Sequence, residues 1–109
     1  MKGKIVLVPF PFTDLTAAKL RPALVLIECE VDSVVGFIST RVPAQTATAE
    51  VVIPQDHRDF APTGLKTALI IILDKVATVC RTIIPGEIGE IGEALRKEVN
   101  RVLRETCQV

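Results

Sequence analysis

The sequence predicts a mainly β fold: a small, strongly bent antiparallel sheet, partly closed into a barrel, with a C-terminal helix over one apolar side. Three observations lead there. Five or six short runs rich in Val, Ile and Leu are separated by turn-forming residues. After Gly89 the apolar periodicity changes from strand-like to helical. The length, 109 residues, suits a single domain spanning 1–109, able to build one core without metal or disulfide staples.

Ile5-Val6-Leu7-Val8 is a β-branched run and reads as the first strand, halted by Pro9 and Pro11. Residues 23–27 (ALVLI) form the second; apolar throughout, it is expected to be buried on both faces or central in the sheet. The connection between them is longer than the roughly two to five residues a hairpin needs. It is expected to divide into a proline-stiffened scaffold, 9–12, and a moving part, 13–20, closed by Arg21-Pro22. Residues 34–39 and 49–53 are the third and fourth strands, the latter ended by Pro54. Residues 55–64 form a charged, proline-containing loop with the stretch QDHRDF. The fifth strand lies within 65–73, and 77–80 is a short sixth beyond Asp74-Lys75, which reads as a simple turn. Residues 85–89 (PGEIG) are a break. Beyond it Ile91, Leu95, Val99, Val102 and Leu103 recur at helical spacing, with acidic residues leading and basic residues trailing, the order the helix dipole favours. The charged face is a solvated one, with a Glu93–Lys97 contact at i,i+4.

Composition excludes several function classes. Aromatic residues are 4% of the chain against 49% hydrophobic, so the core is aliphatic and lacks the stacking platforms of RNA-recognition sheets or oligonucleotide-binding barrels. Thirteen basic and thirteen acidic residues give zero net charge, so bulk electrostatics announce no nucleic-acid partner, although a local basic patch is compatible with that balance. Cys29, Cys80 and Cys107 are widely spaced and His57 is the only histidine, so no zinc site is expected; the cysteines read as reduced thiols of a cytoplasmic protein. No signal peptide and no membrane-length apolar run is visible.

Phosphate loops, nucleophile elbows and zinc-protease motifs are absent. His57, between Asp56 and Arg58, reads as a surface loop residue. Arg21 precedes Pro22, which biases its backbone toward extended geometry. Held at the lip of a buried strand, it is either a planar phosphate ligand or an ordinary surface arginine. Ser39-Thr40-Arg41, where the third strand leaves the core, is either an anion-binding lip or a plain polar strand end.

The stretch KGKIVLVPFPFTDLTAAKLRPALVL resembles the opening of the MazF/PemK toxins of bacterial toxin–antitoxin systems. The likeness continues through Ile38-Ser39-Thr40, Gly64-Leu65-Lys66 and Leu73-Asp74-Lys75 to the glycine-containing break before the terminal helix, and so covers nearly the whole chain. It implies an SH3-like barrel of the PemK/CcdB type and a homodimer. It also implies metal-independent, cofactor-free cleavage of single-stranded RNA at short mRNA sequences, leaving a cyclic phosphate and a 5′-hydroxyl, and a cognate antitoxin that covers the RNA groove.

Matched onto this chain, the resemblance assigns catalysis to Arg21 with Ser39 or Thr40, and a possible catalytic or supporting role to Asp74 or Asp14. Thr13, Lys19 and Arg41 are the expected RNA contacts. Two departures stand out: Gly3-Lys4 where many members carry Gly-Asp or Gly-Glu, and Ile72 where several carry an arginine. They motivate the alternative of a catalytically impaired antitoxin-binding module; the shared barrel fold leaves a CcdB-like gyrase-binding toxin as another.

Overall fold

The structure, a computed structural model, describes residues 2–10 and 19–109. Six strands form one sheet: β1 (Lys4–Phe10), β2 (Lys19–Glu28), β3 (Asp32–Ser39), β4 (Glu50–Ile53), β5 (Leu69–Cys80) and β6 (Glu87–Glu90). Their spatial order is β4-β5-β3-β2-β1-β6 and every neighbouring pair is antiparallel. The helix α1 (Glu93–Thr106) follows β6. The sheet curls into a half-barrel, the mainly β architecture with a terminal helix that the sequence predicts.

Strand alternation divides the apolar side chains between two cores. Ile5, Leu24, Ile53, Ile71 and Leu73 pack beneath the helical Leu95, Val99 and Val102. Their sequence neighbours Val6, Ala23 and Val25 turn to the opposite face and join Val8, Val35 and Val79 in a second cluster. The expectation that 23–25 are buried on both faces holds because β2 is central. It fails at Ile27, 51% exposed, beyond a register shift between Val25 and Ile27.

The expected strand limits need correction in three places. Pro9 does not halt β1, and β2 begins at Lys19 rather than at residue 23. The β1–β2 ladder runs through Leu7↔Pro22 and Pro9↔Leu20 to Phe10↔Lys19. The two prolines sit at register positions of the same parity, where a residue's N–H points away from that partner strand, so the ladder tolerates both rings. The β6 ladder on the other side of β1 ends at Val6, short of Pro9. The β3 ladder on the other side of β2 ends at Ala23↔Phe37, one residue short of Pro22. Leu20, expected in a moving loop, is therefore a strand residue; residues 13–18 lie outside the described residues.

The second correction is that β5 is one strand of 12 residues, without a turn at Asp74-Lys75. Neither residue is Gly, Asn or Pro, and a tight hairpin turn requires left-handed backbone that no non-glycine residue among those described adopts. Instead β5 bulges. Gly36 pairs with Val76 and the next residue, Phe37, pairs with Ile72, so 73–75 have no partner in β3. On its other edge β5 stays in register with β4 from Ile53↔Leu69 to Glu50↔Ile72, and the Leu73 N–H donates to the Ala49 carbonyl at 2.9 Å.

Third, the break at 85–89 holds the first three residues of β6, which pairs with β1 through Lys4↔Glu90 and Ile5↔Gly89. Lys4 Nζ lies 3.0 Å from Glu90 Oε2 and 3.9 Å from Glu87 Oε2, which gives the unexpected Lys4 a cross-strand role.

The helix stripe is as expected, except that Ile91 is buried ahead of the helix. Gly92 supplies no side-chain cap. The cap comes from the QDHRDF loop: Leu95 N–H donates to Asp59 Oδ2 at 2.9 Å, and Asp59 N–H donates to His57 Nδ1 at 3.0 Å. His57 thus shapes the loop that caps α1. The Glu93–Lys97 contact is present at 3.7 Å between exposed side chains.

Gly89 is where β6 meets the 3₁₀ turn Ala61–Thr63, and a methyl group there would strike the Thr63 carbonyl. Gly89→Ala is expected to destabilise the fold by about 1–3 kcal/mol, lowering the thermal midpoint by about 4–8 °C per kcal/mol. Gly86→Ala meets nothing within 4 Å and should change stability by less than about 0.5 kcal/mol. Thermal unfolding of the two variants side by side checks the contrast; equal midpoints would remove this contact as a constraint.

Candidate functional site

The groove that collects three of the expected site residues, Arg21, Ser39 and Asp74, opens where β2 and β3 separate. Pro22 lacks the N–H needed to extend the β3 ladder, and pairing stops at Ala23↔Phe37. Continuing the register by two residues on each strand sets Arg21 and Ser39 on one face, across the unladdered gap. Arg21 is paired in the backbone to Val8 and exposed, so the β1–β2 ladder holds its backbone while its side chain reaches solvent. This corrects its expected place at a strand start: Arg21 is inside β2, two residues beyond its beginning.

Arg21, Ser39, Asp74 and Lys75 line the same groove, of about 590 Å³. Phe37, Ile72 and Val76 contribute apolar wall, and Val76 is 50% exposed. The Ser39 hydroxyl oxygen accepts a hydrogen bond from the Arg41 backbone N–H at 3.1 Å, which fixes the oxygen and leaves the hydroxyl hydrogen as the donor. Among the described residues Arg21, Asp74 and Lys75 take part in no ion pair.

Of the remaining expected residues, Thr40 and Arg41 fall elsewhere. Thr40 is exposed beyond the end of β3 and does not line the groove. Arg41 contributes its backbone N–H to Ser39, and its side chain is exposed outside the groove lining. Lys19 opens β2 opposite Phe10. Thr13 and Asp14 lie outside the described residues. A general-base role for Asp74 calls for burial, and Asp74 is exposed. Ile72, the departure noted in the sequence, lines the groove and presents an aliphatic surface to it.

Reading the Asp-Lys pair as a turn hides Lys75 and Val76 from sequence reasoning. The available signal is an apolar strand pattern that resumes immediately after two charged residues with no turn-former between. Among the described residues no group of three or more His, Cys, Asp or Glu side chains could hold a metal ion. No helix among them is long and apolar enough to cross a membrane.

A second chemically distinct spot lies at the far end of β5. Cys80 Sγ is 3.1 Å from Thr82 Oγ1, and this hydrogen bonding holds the thiol below its ordinary range. Arg81 ties this end to the β2–β3 turn: it pairs with Glu28 at 3.2 Å and donates to the Cys29 carbonyl at 3.1 Å. Alkylation of Cys80 followed by peptide mass spectrometry should show a pH midpoint below the roughly 8.5 of a free thiol. Thr82→Val, which removes the hydroxyl and keeps the backbone N–H, should move that midpoint upward; an unchanged midpoint would show that the Thr82 hydroxyl does not hold the thiolate.

Residues 1–107 match the model of a family described as a PemK-like, MazF-like toxin of type II toxin–antitoxin systems. No curated protein matches the chain significantly. Among solved structures, a Mycobacterium tuberculosis toxin, MazF-mt6, is similar at a TM-score of 0.70 and 19% identity, covering 94% of this chain and 93% of its own. An endoribonuclease in complex with its cognate antitoxin, from a mycobacterial species, superposes at 0.73 and 14% identity, covering 98% and 93%. A further mycobacterial endoribonuclease gives 0.67 and 17%, covering 96% and 88%. At these identities the likeness is one of fold.

Proposed function

Given that the chain belongs to the PemK-like, MazF-like toxin family of type II toxin–antitoxin systems, we propose that it is an endoribonuclease that cuts single-stranded RNA at short sequences without a metal ion or cofactor. We further propose that it acts in the cytoplasm as a homodimer and is held in check by a cognate antitoxin. The observation that carries the reading is the convergence of Arg21 and Ser39 on one open groove between β2 and β3.

In this reading the substrate supplies its own nucleophile. The 2′-oxygen attacks the adjacent phosphorus, the bond to the 5′-oxygen breaks, and the products are a 2′,3′-cyclic phosphate and a 5′-hydroxyl. The 2′-hydroxyl proton leaves to solvent, and the departing 5′-oxygen gains one. The protein aligns the 2′-oxygen, phosphorus and leaving oxygen, and stabilises the charge that grows on the non-bridging oxygens. Arg21 suits the stabilising role, because its fork donates two parallel hydrogen bonds to a phosphate and remains charged at any working pH. Ser39, its oxygen fixed by the Arg41 N–H, directs its hydrogen to a phosphate oxygen. Ser39 lines the groove and Thr40 does not, which supports Ser39 as the working hydroxyl.

Ile72 supports a second reading, an impaired family member that binds antitoxin without cutting RNA, because this aliphatic residue lines the groove at a position where a further cation would strengthen phosphate binding.

Incubating the purified protein with a long single-stranded RNA in EDTA separates the two. Discrete cuts at a recurring short sequence, with cyclic phosphate ends, are expected. Arg21→Ala should lower the cleavage rate by about 100- to 1,000-fold, the usual effect of losing one transition-state donor, with its melting curve unchanged because Arg21 is exposed. Ser39→Ala should cost more activity than Thr40→Ala. Full activity in Arg21→Ala would overturn the site assignment, and intact RNA with wild-type protein would favour the impaired reading.

A further inference from the structure

A regular strand sends successive side chains to opposite faces, so at most alternate residues of β5 should reach one groove. Here the consecutive residues Asp74, Lys75, Val76 and Ala77 all line it. The cause is the bulge: β3 advances from Gly36 to Phe37 while β5 passes from Val76 to Ile72, and the unpaired 73–75 swing out of the ladder. Leu73 remains in the main core, which anchors the near side of the bulge, so Asp74 and Lys75 are displayed from a fixed point.

The display includes a carboxylate. A groove that binds only phosphates gains nothing from an exposed Asp facing the same space as Arg21, since like charge repels the substrate. Asp74 is no partner to Arg21 or Lys75, as neither ion pair forms. It is also too exposed for a buried general base. An ionised carboxylate only accepts hydrogen bonds. The part of an RNA strand that can use it is a base edge carrying N–H donors, and single-stranded RNA is read mainly on such edges. Among the four bases guanine alone offers two adjacent donors, N1–H and the N2 amino group, a match for both oxygens of one carboxylate. The groove's volume of about 590 Å³ lies within the roughly 300–1,000 Å³ of small-ligand pockets. Its Phe37, Ile72 and Val76 wall suits the faces of a base, and Lys75 beside Asp74 is available to the neighbouring phosphate.

We propose that the β5 bulge is the specificity element of the groove, with Asp74 selecting an unpaired guanine at a fixed position next to the scissile phosphate. The inference rests on the ribonuclease reading above and deepens it.

The test maps cleavage sites on a long single-stranded RNA for wild type and Asp74→Asn, then uses short oligonucleotides carrying guanosine, inosine or adenosine at the inferred position. Wild type should show guanine at one fixed position. Adenosine there should lower kcat/KM by about 5- to 150-fold, the usual value of one bidentate base contact. Inosine, which keeps N1–H and lacks the amino group, should give an intermediate loss. Asp74→Asn should lose the distinction between guanosine and inosine while still cutting. No fixed guanine in the wild-type map, an identical map for Asp74→Asn, or a uniform loss of cutting at every site in that variant would overturn the proposal. If wild type cuts no RNA, the ribonuclease reading fails on its own. Binding of 2′-deoxy versions of the same oligonucleotides, followed by fluorescence anisotropy, then decides the base preference: tighter binding of the guanine oligonucleotide by wild type and not by Asp74→Asn supports it, and equal binding of all three overturns it.

Discussion

The architecture depends on how β5 crosses both cores without breaking. Leu69 and Ile71 are buried beneath the helix, and Val79 is buried in the second cluster on the opposite face. A flat strand of 12 residues would keep one parity and one curvature along its whole length. The unpaired residues 73–75 change the strand's course relative to β3, while β4 keeps its own register with the first half. The bulge thereby adds the bend that lets a six-stranded antiparallel sheet curl around two apolar clusters. Gly36 sits at the step, with room for no more than ordinary contact between an added methyl and the Leu26 and Leu73 side chains. The same irregularity that bends the sheet puts charged side chains in the groove, so the curvature and the groove's charged lining have one cause.

The prolines act on the other wall. Pro9 and Pro22 are tolerated because each nitrogen faces the side of its strand where no ladder continues. Pro22 then has a positive effect: it stops β3 from zipping onto β2 beyond Ala23, and the gap leaves Arg21 and Ser39 on opposite lips of an opening. A residue with an N–H at 22 would extend the ladder and narrow that opening. In the proposed reading, the Arg-Pro pair places a phosphate ligand next to the device that keeps its site open. The backbone of Arg21 is meanwhile held by β1, so the guanidinium is presented from a paired strand rather than from a loop.

Much of this is legible in the residues. The helix is clear because Leu95, Val99 and Val102 recur at a spacing only a helix satisfies. The strand cores are clear because β-branched runs have few alternatives. The ends are not, because a proline is read as a stop unless one knows which side of the strand is already unpaired, and that depends on the sheet order. β6 is hidden for a related reason: four residues containing a glycine carry little strand signal, and Gly89 is there for its close approach to Thr63 rather than for strand propensity. Asp59 as the cap of α1 is a contact across 36 residues of chain, invisible to any local rule. At the groove, Arg21 and Ser39 can be named from the chain alone. Choosing Ser39 over Thr40 requires seeing which hydroxyl faces the opening, and finding Lys75 requires recognising the bulge.

Zero net charge counts against a polyanionic partner only until the distribution of charge is considered. Lys4 is engaged by Glu87 and Glu90 on the β6 edge, and Arg81 by Glu28 where β2 ends. On the helix Glu93 pairs with Lys97 and Glu105 with Arg101. These acids are matched by neighbouring bases on the β6 edge, on the helix and at the end of β2 and β5 away from Arg21 and Ser39, and at an ionic strength of about 0.1 M a charge is screened beyond about 10 Å. Arg21 and Lys75 have no such local carboxylate partner among the described residues. Among the described residues, the charged groups that line the groove are these two cations and Asp74, and the total over the chain says little about them. Asp74 beside two cations leaves the groove's field positive while adding an acceptor of fixed position. In the proposed reading, that combination would hold a backbone of repeating charge and report on the base attached to it.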